Sequence, residues 1–331
     1  MRWIVCLCVW MGAGGCTLWI DFDDDSDSPP FVKDGTLDPL PFSTTSDYLT
    51  VKVGDEYRPL FIKGMNLGVA VPGTLAGELA ATKEQYALWF EQMRQMGLNT
   101  LRIYTLHYPR FYEALAEHNL ENEDDPLYVL HGIWLDEETN ESGDFFDMTA
   151  HFEAGILEVI DCVHGNCSIG HRFGRAYGEF EVDVSRWVLG WVIGREIHPE
   201  EVLITNDSHP HLTDFDGKAF QVRGGEAIEV WFARHLDKMV TYERDFYGVQ
   251  RPVSVSSWPT LDPLTHPTEG SHYSDEDIVS FDMSLIKAID APGGTFATYH
   301  AYPYYPDFIP DDPTYREYAD AEGPNSYLGY L

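Results

Sequence analysis

Short β-rich runs alternate with amphipathic helices along most of the chain, and this alternation restricts the fold more than any other feature. The clearest helix is predicted to begin after Thr82, where Gln85 follows three residues on as in a capping box, and to end at Gly97. A strand–helix–strand order of this kind is typical of a parallel sheet whose crossovers are helices. The runs predicted as strands are 61–67, 99–104, 127–131, 188–193, 252–256 and 295–300.

The number of strands predicts an α/β protein built on a TIM (β/α)8 barrel. Helices are predicted at 82–97, 108–118, 148–162 and 226–247, and 326–331 is interpreted as the start of a further one. A closed barrel needs eight strands, so about six strands over 47–331 predict an incomplete barrel. A short N-terminal β-hairpin is predicted from the two β-rich runs 48–53 and 58–63 around Gly54-Asp55. The connections 133–146 and 197–223 are predicted as long loops of the kind that build substrate clefts.

The N-terminus has the pattern of an export signal. Met1-Arg2 precedes an apolar run, and small residues then lead to Cys16, as in a bacterial lipobox. Residues 1–16 are therefore predicted to be a lipoprotein-type signal peptide with Cys16 as the lipidated residue. The apolar run is too short to span a bilayer, and 17–46, which is strongly acidic at 21–30, is predicted to be a tether. We expect an exported protein of the cell envelope or outer surface, held to a membrane only through a lipid anchor.

The net charge limits which partners the protein can bind, and the cysteine spacing indicates a disulfide. The formal net charge is −34, from 55 acidic and 21 basic residues, which excludes nucleic acid as a partner. A saline habitat and ordinary secreted acidity are both compatible with this charge. Cys162 and Cys167 are spaced C-x4-C, and in an oxidising compartment we expect a local disulfide, with two free thiols as the alternative. No cofactor motif and no metal site is expected.

Polar and aromatic residues stand at or just after the ends of the predicted strands. In an α/β barrel this edge of the sheet carries the active site. Each residue alone has a structural explanation, since a strand-end arginine can pair with a carboxylate and a histidine can be a satisfied core group. Their number at one edge favours a binding or catalytic site. The set is Arg102, His107, His131, Arg195, Glu196, Trp258, His300 and Tyr302.

Five segments in this order resemble the clan-A glycoside hydrolases, of which the catalytic barrel of family 2 and the family 5 enzymes are the nearest. They are 63–66 (KGMN), 97–102 (GLNTLR), 131–132 (HG), 194–196 (GRE) and 300–303 (HAYP). The resemblance implies a retaining mechanism on an oligo- or polysaccharide. In that mechanism one carboxyl protonates the leaving oxygen, and a second, about 5–5.5 Å away, attacks the anomeric carbon.

The resemblance also assigns roles to residues. It implies that Glu196 is the acid/base and that Arg102 holds the nucleophile in its ionised form. It further implies that His131, His300 and Tyr302 line the subsite where the bond breaks. The implied activity is that of a hydrolase or transglycosidase acting on a neutral β-linked glycan.

Two departures from the family pattern leave alternatives open. Family members carry Asn before the acid/base, where this chain has Arg195. The strand that should end in the nucleophile is not visible, so the sequence is interpreted as C-terminally truncated, with Glu269 or Asp262 as alternative nucleophiles from a loop. A non-catalytic carbohydrate-binding lipoprotein on a degenerate barrel therefore remains an alternative. A structural envelope protein without a ligand is the third.

Overall fold

The computed structural model describes residues 38–137, 140–266, 278–302, 305–306 and 308–331. The predicted signal peptide with Cys16, the acidic run 21–30 and Glu269 lie outside the described residues. The strands are β1 (Phe42–Thr44), β2 (Leu49–Val53), β3 (Glu56–Pro59), β4 (Gly64–Asn66), β5 (Thr100–Ile103), β6 (Tyr128–Ile133), β7 (Cys167–Ile169), β8 (Gly178–Phe180), β9 (Val188–Ile193), β10 (Phe215–Asp216), β11 (Phe220–Val222), β12 (Val253–Ser257), β13 (Lys287–Ala288), β14 (Thr298–Tyr299), β15 (Ala319–Asp320) and β16 (Gly323–Pro324). The helices are α1 (Lys83–Gln95), α2 (Pro109–Glu121), α3 (Thr149–Val163), α4 (Pro199–Ser208), α5 (Ala227–Tyr247) and α6 (Ser326–Tyr330).

Six parallel strands form the central sheet. Their order in space, β4-β5-β6-β9-β12-β14, is also their order along the chain. The sheet therefore curls in one direction into a half-barrel with helices as crossovers. Helix α1 connects β4 to β5, α2 connects β5 to β6, α3 lies between β6 and β9, and α4 and α5 lie between β9 and β12. The six predicted strands and their parallel arrangement are confirmed.

Helix α1 forms where its sequence signals predict it. The Thr82 hydroxyl accepts a hydrogen bond from the backbone N–H of Gln85 (3.3 Å), and the Gln85 side chain accepts one from the N–H of Thr82 (2.9 Å). Gly97 follows the helix with φ of 71°, a left-handed conformation that glycine adopts without steric cost. Tyr86 and Phe90 are among the residues of its buried face.

The interior of the sheet is tightly packed. All six residues of β9 are buried, as expected for a parallel strand covered on both faces. Gly132 of β6 allows the close approach of β5, because a Cβ there would lie 2.5 Å from the carbonyl oxygen of Tyr104. At the amino ends of the strands, Arg251 and Glu243 form a buried ion pair, with Nε of Arg251 donating to Oε1 of Glu243 at 2.9 Å. That pair therefore lies at the amino edge of the sheet, opposite the edge at which the strands end.

The predicted loop 197–223 and the predicted tether both differ from the structure. The segment 197–223, predicted as a loop, contains helix α4, which begins with Pro199 and carries Glu200 and Glu201 in its first turn. These are helix-start signals that the prediction overlooked. The predicted tether also ends earlier than residue 46, because Phe42 in β1 is buried and packs edge-on against Tyr128, with ring centroids 5.5 Å apart.

A hairpin of β7 and β8 follows α3 and was not predicted. Cys162 in the last turn of α3 and Cys167 at the start of β7 are both free thiols, so the predicted disulfide is not formed in the structure. Burial, followed by the neighbouring Cys167, raises the pKa of the Cys162 thiol far above its usual range. No helix among the described residues is long and apolar enough to cross a bilayer.

Candidate functional site

Glu196 lies at the carboxyl end of β9, where its side chain meets two residues that follow β14. A hydrogen bond of 2.9 Å joins Nδ1 of His300 to Oε1 of Glu196, and the hydroxyl of Tyr302 donates to the same oxygen. Which atom donates in the first bond depends on the tautomer of His300. About a third of the Glu196 side chain (33%) remains exposed. The carboxyl group is thus fixed on one side and accessible on the other.

The accessible side of Glu196 faces a cavity of about 710 Å³, which is the size of a small-molecule site. Its walls come from the carboxyl ends of β5 and β6, one face of α3 between 151 and 159, the turn 76–79 and the residues 172 and 174–176. Tyr104 and Trp134 give it aromatic surfaces, with their ring centroids 6.4 Å apart. Tyr104 also contacts the ring of His300 edge-on at 6.0 Å. Aromatic side chains therefore line a path that begins beside Glu196.

Two further carboxylates line the cavity, and both are paired with arginines. Asp136 forms an ion pair with Arg175, and Nε2 of His151 lies 3.6 Å from the same carboxylate. Glu158 accepts two hydrogen bonds from the Arg172 guanidinium, at 2.8 and 3.0 Å. The charges in this part of the wall are mutually compensated.

Arg102 on β5 has donor capacity to spare. Its Nη2 donates weakly to the Ser256 hydroxyl (3.4 Å), and its guanidinium lies 4.8 Å from the centroid of the Tyr104 ring. Its Nη1 is buried and has no hydrogen-bond partner among the described residues. Burial lowers the pKa of Arg102 to about 10, so the group stays a cation at neutral pH. A charged guanidinium with an N–H group that is free to donate is suited to bind a carboxylate.

The two strand-end histidines, His107 and His131, are core groups. His107 is hydrogen-bonded through Nδ1 to the hydroxyl of Tyr86, and His131 through Nε2 to that of Tyr112, each at 2.9 Å. Neither lines the cavity. Burial lowers the pKa of each histidine to about 3. The structure does not bring either of them to a position where it could contact a ligand in the cavity.

Arg195, expected to contact substrate, is instead buried (1% exposed) behind Glu196. Its Nη2 donates to both carboxylate oxygens of Glu201 at 2.7 and 2.8 Å, and its Nη1 donates to the carbonyl oxygen of Glu196 at 3.0 Å. The carboxylate of Glu201 belongs to α4, so Arg195 fastens the backbone of Glu196 to that helix. We assign it a positioning role.

Trp258 and Asp262 follow β12 and lie outside the cavity lining. The indole N–H of Trp258 donates to the carbonyl of Ile197 (3.0 Å), and its ring stacks on Tyr305 with centroids 6.3 Å apart. The buried carboxylate of Asp262 accepts a hydrogen bond from Tyr330. Asp262 is therefore committed to local contacts and does not face Glu196 across the cavity.

The site predicted from the sequence did not include several residues that line the cavity. Tyr104 and Trp134 follow β5 and β6 directly, so the same rule that selected His300 applies to them. Arg172 and Arg175 carry no such signal, because they belong to a helix-to-strand connection, which the barrel rule places on the opposite face.

The fold and the site define a parallel α/β protein with an accessible carboxyl group at the carboxyl edge of its sheet. Among the residues that the structure describes, no group of three or more His, Cys, Asp or Glu side chains could hold a metal ion. Comparisons of the chain with protein-family models, with curated protein sequences and with solved structures found no match.

Proposed function

We propose that this chain is a TIM-barrel glycoside hydrolase or transglycosidase of the retaining type, acting on a neutral β-linked glycan with Glu196 as its acid/base. The observation that carries the proposal is the contact of the Glu196 carboxyl with His300 and Tyr302 at the mouth of a 710 Å³ cavity. Active sites of α/β barrels lie at this edge of the sheet. The same three residues occupy matching positions in the resemblance to clan-A glycoside hydrolases.

The surroundings of Glu196 suit an acid/base. A group that first gives a proton to a leaving oxygen and then takes one from water must be accessible and held in place. His300 and Tyr302 hold Oε1, which leaves Oε2 for the reacting oxygen. Burial, followed by the hydrogen bond to Glu196, raises the pKa of Tyr302 to about 12, so its hydroxyl remains a donor at neutral pH.

The cavity walls favour a neutral sugar. Tyr104 and Trp134 offer aromatic faces against which the C–H surface of a pyranose ring can pack. Arg172 and Arg175 are both matched by carboxylates, so neither is available as an unpaired partner for an anionic sugar. The net charge of −34 also opposes a polyanionic substrate.

The nucleophile of this mechanism is proposed to be a carboxylate held by Arg102. No described carboxylate is hydrogen-bonded to that guanidinium, whose Nη1 is free to donate. The other two cavity carboxylates, Asp136 and Glu158, are engaged in ion pairs. This engagement is the observation that favours the second candidate function, a carbohydrate-binding protein that does not cleave its ligand.

The test compares the full chain with its Glu196→Gln variant on neutral β-glycans and aryl β-glycosides. Turnover of substrates with poor leaving groups should fall by about 10²–10⁴, because general acid catalysis is lost. A dinitrophenyl glycoside needs no proton to lose its leaving group, so its cleavage should be affected much less, and added azide should be captured as a glycosyl azide. Glu200→Gln, at an exposed glutamate in the first turn of α4, is the matched control and should retain full activity.

The outcomes separate the two candidates. Full activity of Glu196→Gln would show that another group is the acid/base. If the wild-type chain cleaves nothing but binds glycans by calorimetry, and Trp134→Ala abolishes that binding, the binding function is correct. If it neither cleaves nor binds any of these glycans, both candidates are wrong.

We also propose that the protein is exported as a lipoprotein anchored through Cys16. Expression in a bacterial host with a labelled fatty acid should give a labelled protein in the membrane fraction. The Cys16→Ala variant should carry no label.

A further inference from the structure

The hairpin of β7 and β8 contacts the cavity although it belongs to a connection expected on the opposite face of the sheet. It lies between α3 and β9, and helix-to-strand connections of an α/β barrel belong to the face opposite the active site. Four residues at the tip of this hairpin nevertheless line the same cavity as Glu196: Arg172, Gly174, Arg175 and Ala176. The hairpin passes along α2 on the way, since a Cβ on Gly178 would lie 3.1 Å from Cγ of Pro109, the first residue of that helix.

The tip is fastened on three sides. Arg172 is held by Glu158, and its Nε also donates to the carbonyl of Ala176 at 2.6 Å, which closes the turn. Arg175 is ion-paired with Asp136 beyond the end of β6. Gly174 contacts the turn 76–78, because a Cβ on Gly77 would lie 3.2 Å from its Cα. The conformation of the tip is thus set by contacts with three separate parts of the chain.

Phe173 stands between these two fastened arginines and is 98% exposed, the highest value among the large exposed hydrophobic side chains that the structure describes. A fully exposed phenylalanine gains nothing from burial in the fold. Phe173 itself does not line the cavity, but its neighbours Arg172 and Gly174 do, so the turn holds its ring beside the cavity. An aromatic side chain presented in this way is suited to bind a ligand that leaves the cavity.

We propose that the hairpin tip is a substrate-binding element in which Phe173 stacks against a sugar ring of a glycan chain extending out of the cavity. This inference rests on the proposed function and adds that the substrate is an oligo- or polysaccharide longer than the cavity. Phe173 is a specificity residue in this arrangement and takes no part in bond cleavage.

Two aromatic contacts and an ion pair connect Glu196 with the tip. From His300, which touches Glu196, the rings of Tyr104 and Trp134 follow at centroid distances of 6.0 and 6.4 Å. Asp136, two residues after Trp134, is the partner of Arg175 in the tip. A sugar chain that follows this path and then leaves the cavity would pass the side chains of Tyr104 and Trp134 and could reach the exposed ring of Phe173.

The charges beside this path favour an uncharged chain at the rim as well. Both tip arginines are neutralised by cavity carboxylates, so the tip presents an aromatic ring without an unpaired cation. An acidic polysaccharide would have to break one of these ion pairs to gain a contact with an arginine.

The test is a chain-length series with the full chain and its Phe173→Ala variant. The probes are cello-, manno- and laminari-oligosaccharides from disaccharide to octasaccharide, together with an aryl β-glycoside. Phe173→Ala should lower kcat/KM for the longest active probes roughly threefold to tenfold and leave the disaccharide and the aryl glycoside unchanged. If the wild type binds without cleaving, the same pattern is expected in Kd.

Two controls accompany the series. Phe173→Tyr keeps a ring at the tip and should behave as the wild type. Phe61→Ala removes a similarly exposed phenylalanine (72%) that precedes β4, at the amino edge of the sheet, and should change nothing.

The inference is overturned if Phe173→Ala leaves kcat/KM or Kd unchanged, or if it changes that value equally for short and long probes. In that case cleavage or binding by the wild type still supports the proposed function. Failure of the wild type to cleave or bind any probe refutes the proposed function, and this inference with it.

Discussion

Nδ1 of His300 and Oε1 of Glu196 lie 2.9 Å apart, although 104 positions separate the two residues in the chain. They follow β14 and β9, which are not neighbours, because β12 lies between them. The backbone N–H of His300 donates to the carbonyl of Ser257 (2.9 Å), which continues the pairing of β14 with β12 beyond the strand itself. The contact therefore requires the sheet to curl across three strands.

Removing the partners of Glu196 should impair catalysis without preventing binding. His300→Ala and Tyr302→Phe each delete a hydrogen bond to a carboxylate, which is worth about 1.5–3 kcal/mol. We expect kcat to fall roughly tenfold to a hundredfold in each variant, with a smaller change in KM. Because the pKa of Tyr302 is about 12, its hydroxyl stays protonated up to about pH 10 and does not itself produce a limb of the rate profile below that pH. Steady-state kinetics on the best substrate check both points, and an unchanged kcat for both variants contradicts the roles given to these side chains.

Substitution of Arg195 should lower the stability of the fold, whereas substitution of Glu196 should leave it almost unchanged. Arg195→Met leaves the Glu201 carboxylate without its buried partner, and such a loss costs about 3–5 kcal/mol. Glu196→Gln, at a partly exposed position, should change the free energy of unfolding by less than about 0.5 kcal/mol. Urea unfolding followed by tryptophan fluorescence measures both. A stable Arg195→Met protein with a raised KM would restore the substrate-contacting role that the sequence predicted.

The sequence predicted what depends on strand order and missed what depends on side-chain direction. Glu196, His300 and Tyr302 meet because parallel strands share one carboxyl edge, and that follows from the order of the segments alone. His107 and His131 stand at the same edge but point into the core, where Tyr86 and Tyr112 bind them. Periodicity in a strand buried on both faces does not distinguish these directions.

The position of the hairpin tip at the cavity could not be predicted from the sequence for a different reason. Its short strands, β7 and β8, carry no strong alternation, and the rule for barrels places the connection after α3 on the far face. The contacts of Arg172 with Glu158, of Arg175 with Asp136 and of Gly174 with Gly77 show that the tip reaches the cavity. Contacts between residues of one connection and the opposite edge of a sheet leave no signature in the local sequence.

Stability should contain an acid-sensitive contribution from the two core histidines. Burial lowers the pKa of His107 and of His131 to about 3, against about 6.5 in an unfolded chain. The contribution of each histidine is therefore complete above about pH 6.5, and it is lost as pH falls from there towards 3, because the unfolded state takes up protons first. The many carboxylates titrate in the same range and relieve repulsion as they become neutral, so total stability alone does not isolate the histidines.

The difference between wild type and His131→Gln isolates this contribution. The variant is expected to be less stable at pH 7, and its deficit should shrink as pH falls from about 7 to 4. Thermal unfolding at several pH values measures the deficit, with His211→Gln, in an exposed loop, as the control that shows none. A deficit that stays constant over this range would mean that His131 accepts a proton in the folded protein as easily as in the unfolded one.

The contributions of Glu243 and Arg251, the buried ion pair at the amino edge of the sheet, to stability should depend on each other. Burial would raise the pKa of Glu243, but the Arg251 guanidinium and His164 more than offset it and lower the pKa to about 2. The stability that this carboxylate contributes is therefore complete above its unfolded pKa of about 4.5 and is lost as pH falls towards 2. Glu243 also accepts a hydrogen bond from the indole N–H of Trp191 (2.9 Å), which ties the pair to the central strand β9.

Single and double substitutions at this pair test the coupling. Glu243→Leu and Arg251→Met should each cost about 3–5 kcal/mol, because each leaves a buried charge without its partner. The double variant Glu243→Leu with Arg251→Met removes both charges, so its cost should fall well below the sum of the two single losses. Urea unfolding gives the three free energies, and the fluorescence of Trp191 beside the pair contributes to the signal. Additive losses would mean that the two side chains contribute to stability independently, which their separation of 2.9 Å between Nε and Oε1 argues against.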